Sequence, residues 1–224
     1  MKNETLLLIC WFVTCHLSIS TSIGQVPVSE DPNHKIIFEN KYVRLLDGHI
    51  RPHDTTGFHR HSANSIIVFL TKSVFGIGIS GEHPSITSVN PGDIKYAAYG
   101  DRSVTHRVWN QGDSMFHFVV VEILRQYPGN DTCVALIQPG IRITWQQKSM
   151  RVYDVDAAEG KLINLSASTC AFLLINISGI ITAEHAGVTS RLQSGDFVFY
   201  PPQSQILING NKNENGRCIL LEWR

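Results

Sequence analysis

Short apolar runs, broken by turn-forming residues, make up most of the chain from residue 35 onward. Lys35–Phe38, Tyr42–Ile50, Gly57–His61, Ser65–Leu70, Phe75–Ile79, Ile94–Tyr99, Val104–Asn110 and Met115–Leu124 all read as strands. They are rich in Val, Ile and aromatic residues and are too short for helices. Between them lie the turn clusters Arg51-Pro52-His53-Asp54, Ser80-Gly81-Glu82-His83-Pro84 and Gln111-Gly112-Asp113. A longer loop is expected around Gly100-Asp101-Arg102. No long stretch carries apolar residues at i, i+3, i+4 and i+7. Many short strands with turns at this spacing predict an all-β sandwich or barrel.

The pattern occurs twice. Phe38–Asp47 lines up with Trp145–Asp154 at an offset of 107, Ser62–Leu70 with Ala167–Ile175 at 105, and Pro91–Ile94 with Ser194–Phe197 at 103. The matches keep their order, and the offsets shrink as small loop deletions would make them. Repetition at so long a period means a duplicated unit. Two β-domains are therefore expected, 25–127 and 128–224, joined at the polar, turn-rich Tyr127-Pro128-Gly129-Asn130-Asp131.

The first residues do not fit the strand pattern. Lys2 supplies a positive charge, and Leu6–Val13 is an apolar run too short to span a bilayer. Small residues at Ser22 and Gly24 place a signal-peptidase cut before Gln25, with a cut after Ser20 as the alternative. Phe12-Val13-Thr14 ahead of Cys15 does not fit a lipoprotein site. Residues 1–24 are thus read as a signal peptide and the mature protein as secreted or periplasmic, with no membrane partner after processing. Formal net charge is +0 and the pI about 7.1, which gives no electrostatic case for nucleic acid. Cys133, Cys170 and Cys218 would remain after processing. Cys170–Cys218 is the one bridge considered, and three buried thiols are the expectation.

The candidate chemistry lies in Gly57-Phe58-His59-Arg60-His61 and His106-Arg107-Val108-Trp109-Asn110. His59 and His61 are two apart, so a strand puts both rings on one face. A third imidazole from a neighbouring strand, His106, could complete one side of a metal's coordination sphere. The order Gly-x-His-x-His, Pro91-Gly92-Asp93 and His106-x-x-x-Asn110 resembles the cupin superfamily. Ser194-Gly195-Asp196-Phe197 is similar to a second cupin motif without its histidine, so the whole resembles a bicupin. The resemblance implies two tandem jelly-roll barrels, with a metal site inside the first. It departs from the commonest metal-binding pattern, which has a glutamate four or five residues after the second histidine. Ser65 and Ile66 stand there, preceded by Asn64, and the spacing from Gly92 to His106 is long. A three-histidine site is what remains, suited by ligand type to Fe, Mn, Zn, Ni or Cu. The resemblance then implies a small-molecule substrate or ligand and an oxidoreductase of dioxygenase type. A non-catalytic small-molecule or sugar-binding module and a metal-dependent isomerase or lyase are the alternatives. A homodimer is allowed for.

Asn64, Ser62, Tyr96 and Asn110 are the candidates to orient the ligands, and Tyr96, Tyr99, Arg107 and Trp109 to shape a ligand mouth. Arg107 and Trp109 have the opposite parity to His106 and should pack between the two units. His117 is either a core histidine, a fourth ligand or a general base. By the local offsets, His59, His61 and His106 fall on Asn164, Ser166 and Asn209. The second unit should therefore be a metal-free structural cover.

Overall fold

The computed structural model describes residues 26–127, 133–158, 161–211 and 214–223. The first half contributes β1 (Val26–Pro27), β2 (His34–Glu39), β3 (Val43–Ile50), β4 (His59–His61), β5 (Asn64–Phe69), β6 (Ser73–Ile79), β7 (Ser85–Val89), β8 (Ile94–Ala97), β9 (Val104–Asn110) and β10 (Phe116–Ile123). The second contributes β11 (Ile141–Gln147), β12 (Met150–Ala158), β13 (Leu162–Leu165), β14 (Ala171–Ser178), β15 (Ile181–His185), β16 (Val188–Leu192), β17 (Phe197–Tyr200), β18 (Ile206–Gly210) and β19 (Asn215–Trp223). One 3-10 turn, Val28–Glu30, precedes β2, and the described residues hold no α-helix. The signal peptide and most of the expected joint, from Pro128 to Asp131, lie outside the described residues.

Each half is a two-sheet jelly roll. In the first, sheet β1-β4-β9-β6-β7 faces sheet β2-β3-β10-β5-β8. In the second, β11-β12-β19-β14-β17 faces β13-β18-β15-β16. The duplication extends to irregularities. The β2–β3 ladder shifts register between Ile36 and Phe38, and the β11–β12 ladder between Ile143 and Trp145. Gly92 and Gly195 take the left-handed conformation in matching turns (φ 83° and 90°). The Asp93 and Asp196 carboxylates accept from Asn90 N (2.7 Å) and Gln193 N (2.8 Å). An Arg–Glu pair recurs at one end of each barrel, Arg44–Glu122 at 3.1 Å and Arg151–Glu222 at 3.0 Å. Glu122 thus occupies a barrel end rather than an outer face. β7 escaped the sequence reading because its residues are almost all exposed and lack an apolar alternation.

The two barrels are joined through apolar sheet faces. On β3, Leu46 and Ile50 point into the first barrel, whereas Val43 and Leu45 point out, against Val152, Leu173, Ile219 and Leu221 of the second. Phe38 stacks on Phe199 (5.6 Å), and Tyr96 stacks on Trp145 (4.9 Å). Trp109 does not take part, as had been expected of it. Its indole lies over Gly76 on the far sheet, where an added Cβ would come within 2.0 Å of the ring. Arg107 lies over Phe58 (5.3 Å). The expected cysteine pattern also needs correction. Cys133 and Cys170 form a disulfide with Cα atoms 6.2 Å apart, and Cys218 is a buried thiol on β19. Burial pushes the Cys218 thiol far up, which keeps it protonated and inert.

Candidate metal centre

β4 is three residues long and presents His59 and His61 inward with Arg60 outward. Burial follows that alternation: the two histidines are buried and Arg60 is exposed. β9 lies antiparallel beside it with His59 opposite His106. The ring centroids stand 5.1 Å (His59–His61), 4.8 Å (His59–His106) and 4.8 Å (His61–His106) apart. One ligand nitrogen from each lies within 4.8 Å of the others.

The carboxylate of the site comes from a residue the sequence reading passed over. β1 runs parallel to β4 with Val26 beside His59, and the 3-10 turn that follows brings Asp31 to that ring. His59 Nδ1 lies 2.9 Å from Asp31 Oδ2. An ionised carboxylate can only accept, so Nδ1 carries a proton, which in the neutral tautomer leaves Nε2 its lone pair. Burial works against charge on Asp31, but the neighbouring His34 ring and the hydrogen bonds from His59 and Asn33 N outweigh it and hold the carboxyl well below its usual range. A carboxylate behind a histidine fixes ring orientation and raises its basicity toward a metal. His34, also missed, stands with its centroid 4.7 Å from His59 and 5.5 Å from Phe118. A lone His at the head of an apolar strand was the only trace of it in the sequence.

Burial, joined by the neighbouring histidines, depresses His61 to about 2 and His106 to about 3. Both are neutral donors at any ordinary pH. The buried His59 Nε2 and His61 Nδ1 have no hydrogen-bond partner. Orphaned buried nitrogens are costly, and a set of neutral imidazoles converging on one point suits a transition-metal ion. The donor set fits such an ion.

Two of the residues expected to orient the ligands, Asn110 and Asn64, serve the backbone instead. Asn110 Nδ2 donates to Ile50 O, Arg51 O and Ser114 O, clamping the ends of three strands. Asn64 Oδ1 accepts from Gly100 N, which ties down the long loop. Tyr96 faces the second barrel. Tyr99 alone of the expected mouth residues reaches the site, its ring 4.8 Å from His61. His117 points out of the barrel and pairs with Asp47 at 2.7 Å, so it is neither a core residue nor part of this centre. A cavity of about 50 Å³ adjoins the triad. His61, His106, Tyr99 and Lys95 line its polar side, and Phe69, Phe75, Phe116 and Phe118 its apolar floor.

Neither a protein-family model nor a curated protein matches the sequence. Solved structures do match. A structure of AerE from Microcystis aeruginosa is 14% identical with a TM-score of 0.61, over 87% of this chain and 98% of that one. A cupin 2 conserved barrel domain protein from Leptotrichia buccalis is 11% identical with a TM-score of 0.55, over 85% and 88%. This chain has the cupin fold. A variant of salicylate 1,2-dioxygenase from Pseudoaminobacter salicylatoxidans, in complex with gentisate, is 10% identical with a TM-score of 0.61, over 88% and 76%. Within the cupin frame the two barrels differ at the key positions. His59 pairs with His106 in the first, and Ile163 pairs with Ile208 in the second. The inward positions of β13 are Ile163 and Leu165, while Asn164 and Asn209 point outward and are exposed. The offset-based assignment to Asn164, Ser166 and Asn209 was therefore one residue out, and one residue on a strand reverses the face. Aliphatic side chains fill the corresponding interior.

Proposed function

We propose that this cupin is an exported protein whose first barrel holds one divalent transition metal through His59, His61 and His106. We further propose that it acts as an oxidoreductase of dioxygenase type on a small organic acid. The observation that carries the reading is the set of three converging imidazoles whose buried His59 Nε2 and His61 Nδ1 lack any partner. A metal held there would supply Lewis-acid or redox chemistry at positions the protein leaves free. Asp31 would hold His59 in the ligating tautomer. Lys95, the one cationic lining residue, would pair with a substrate carboxylate, and Tyr99 would flank the entering group. The phenylalanine floor excludes water and accepts an apolar body. The cavity, at about 50 Å³, is smaller than the roughly 150 Å³ that accommodates benzene. That size favours a substrate smaller than the gentisate held by the salicylate dioxygenase variant.

The test measures metal content of the purified full chain and oxygen uptake after anaerobic Fe(II) loading, across a panel of short carboxylic acids. Wild type should retain one metal at the triad, and His59→Ala, His61→Ala and His106→Ala should lose it. Equal metal content in all four would remove the reading. Acid-induced stabilisation without oxygen uptake would assign the protein to the non-catalytic binding class, and turnover without oxygen uptake to the isomerase or lyase class.

A further inference from the structure

The seam between the barrels opens to solvent at one end, and three side chains of ligand type meet there. Asp47 and His49 are two apart on β3 and leave from the same face as Val43 and Leu45, which are sealed against the second barrel. His117 is the cross-strand partner of His49 on β10. The pair is of the non-hydrogen-bonded kind. His49 N–H donates away from β10, to Asn33 O (3.0 Å). The His117 carbonyl accepts from Leu70 N (3.0 Å), and its N–H donates to Thr71 Oγ1 (2.9 Å), both away from β3. Side chains at such pairs stand closest, and these two rings stack at 3.9 Å. The Asp47 carboxylate reaches both, with Oδ1 2.7 Å from His117 Nε2 and Oδ2 3.5 Å from His49 Nδ1.

We propose that Asp47, His49 and His117 form a second divalent-cation site, of the Zn²⁺ or Cu²⁺ class, at the seam. Two imidazoles and one carboxylate are the donor set of those ions rather than of Mg²⁺ or Ca²⁺. Their ligand atoms lie within 4.8 Å of one another. Tetrahedral bonds of about 2.0–2.1 Å place ligand atoms roughly 3.3 Å apart, so binding would swing the half-exposed His49 out of its 3.9 Å stack on His117. It would also release the proton that His117 Nε2 shares with Asp47 Oδ1. The hydrogen bond from His117 helps keep Asp47 ionised against its burial, and burial and the nearby His117 keep His49 neutral. Both are in the form that ligates. The second barrel supplies the opposite wall. An added Cβ on Gly195 would come 3.2 Å from His117 Cε1, so only glycine leaves this turn room beside the ring. Asp196 and Arg191 line the same opening. Their charges oppose one another, which leaves the ligands to decide binding. An ion held there would tie the outer ends of β3 and β10 to one another.

The site shares no residue with the triad, so the two can fail separately. Full-length protein is dialysed against micromolar ZnCl₂ and its zinc counted, for wild type, His49→Ala, and His59→Ala/His61→Ala. His49 has a side chain 44% exposed, so its loss should leave the fold intact. Its effect is read against wild type whatever the triad does. The expected result is one zinc fewer in His49→Ala than in wild type, and an unchanged seam zinc in the triad variant. Cu²⁺ bound to that triad variant should show two-nitrogen coupling in its EPR spectrum. Equal zinc in wild type and His49→Ala would overturn the proposal.

Discussion

Asp31 shows how far a single residue can stand from any motif and still matter to a site. It lies 28 positions before His59 and reaches it only because β1 pairs parallel with β4 and the 3-10 turn reverses the chain. Strand parity made the inward pair His59 and His61 legible, and the shared motif order made His106 legible. Nothing in the sequence could reveal a contact that depends on how the N-terminal segment lies across the barrel. Conversely, Asn64 and Asn110 looked like partners for the ligands because amides are common there, yet both are spent on backbone groups that a turn leaves unsatisfied. Asp31→Asn is the sharp test of the carboxylate. The amide keeps the shape but gives up the charge and the fixed tautomer. Metal affinity should fall by roughly 10–100-fold, the usual cost of losing such a partner, while the far-UV spectrum stays that of wild type. Affinity within threefold of wild type would mean that Asp31 serves the turn at Asn33 (2.7 Å from its Oδ1) and nothing more.

Strands were read well where they bury apolar side chains and poorly where they lie exposed. β9 was placed end to end, whereas β7, exposed along nearly its whole length, gave no signal at all. The duplication was legible because three segments, the Gly-Asp turn among them, recur in the same order. Its finest register was not, because a single-residue deletion changes no composition but reverses which side chains face in. The strands β12 and β19 also carry a charge cluster that no local pattern announces. Arg217 Nε donates to Asp154 Oδ1 (2.7 Å), Arg142 Nη2 to Asp154 Oδ2 (2.7 Å), and Arg217 Nη1 to Pro91 O of the first barrel (2.9 Å). Burial opposes charge on Asp154, but the hydrogen bonds from Arg217 and Arg142 prevail and hold its carboxyl below the usual value. A carboxyl lowered in the folded state adds stability above its unfolded pKa and loses that contribution as pH falls through the folded one. Denaturant midpoints measured from pH 7 down to pH 3 should therefore drop less steeply for Asp154→Asn than for wild type, with the variant already weaker at pH 7. Parallel curves would show that Asp154 contributes nothing to the acid limb.

The described residues form a barrel with three inward histidines, roofed by a barrel whose corresponding interior is aliphatic, and the join explains why the second copy is kept. Val43, Leu45, Ile66, Val68, Val119 and Val121 are no more than 1% exposed, and all of them point out of the first barrel. Full burial of such a side chain contributes roughly 1.5–3 kcal/mol, and without the second barrel these six would face water as one contiguous patch. Patches of that kind drive association in isolated domains. The outer faces of β5 and β10 stand in the sequence as the apolar runs Ile66-Ile67-Val68-Phe69 and Phe118-Val119-Val120-Val121. The second unit was legible as their cover, but which of its strands lie on them was not, because those strands are about a hundred residues away. A fragment ending at Tyr127 should therefore aggregate or dimerise through the sheet that contains β3, β10 and β5. Full-length His106→Ala should remain a folded species of wild-type size that has lost its triad metal, because that change empties the interior and leaves the join alone. Size-exclusion chromatography with metal analysis of both proteins distinguishes the two effects. A soluble, monomeric, metal-bound fragment would show that the first barrel stands without its roof. The second barrel would then need a role other than cover.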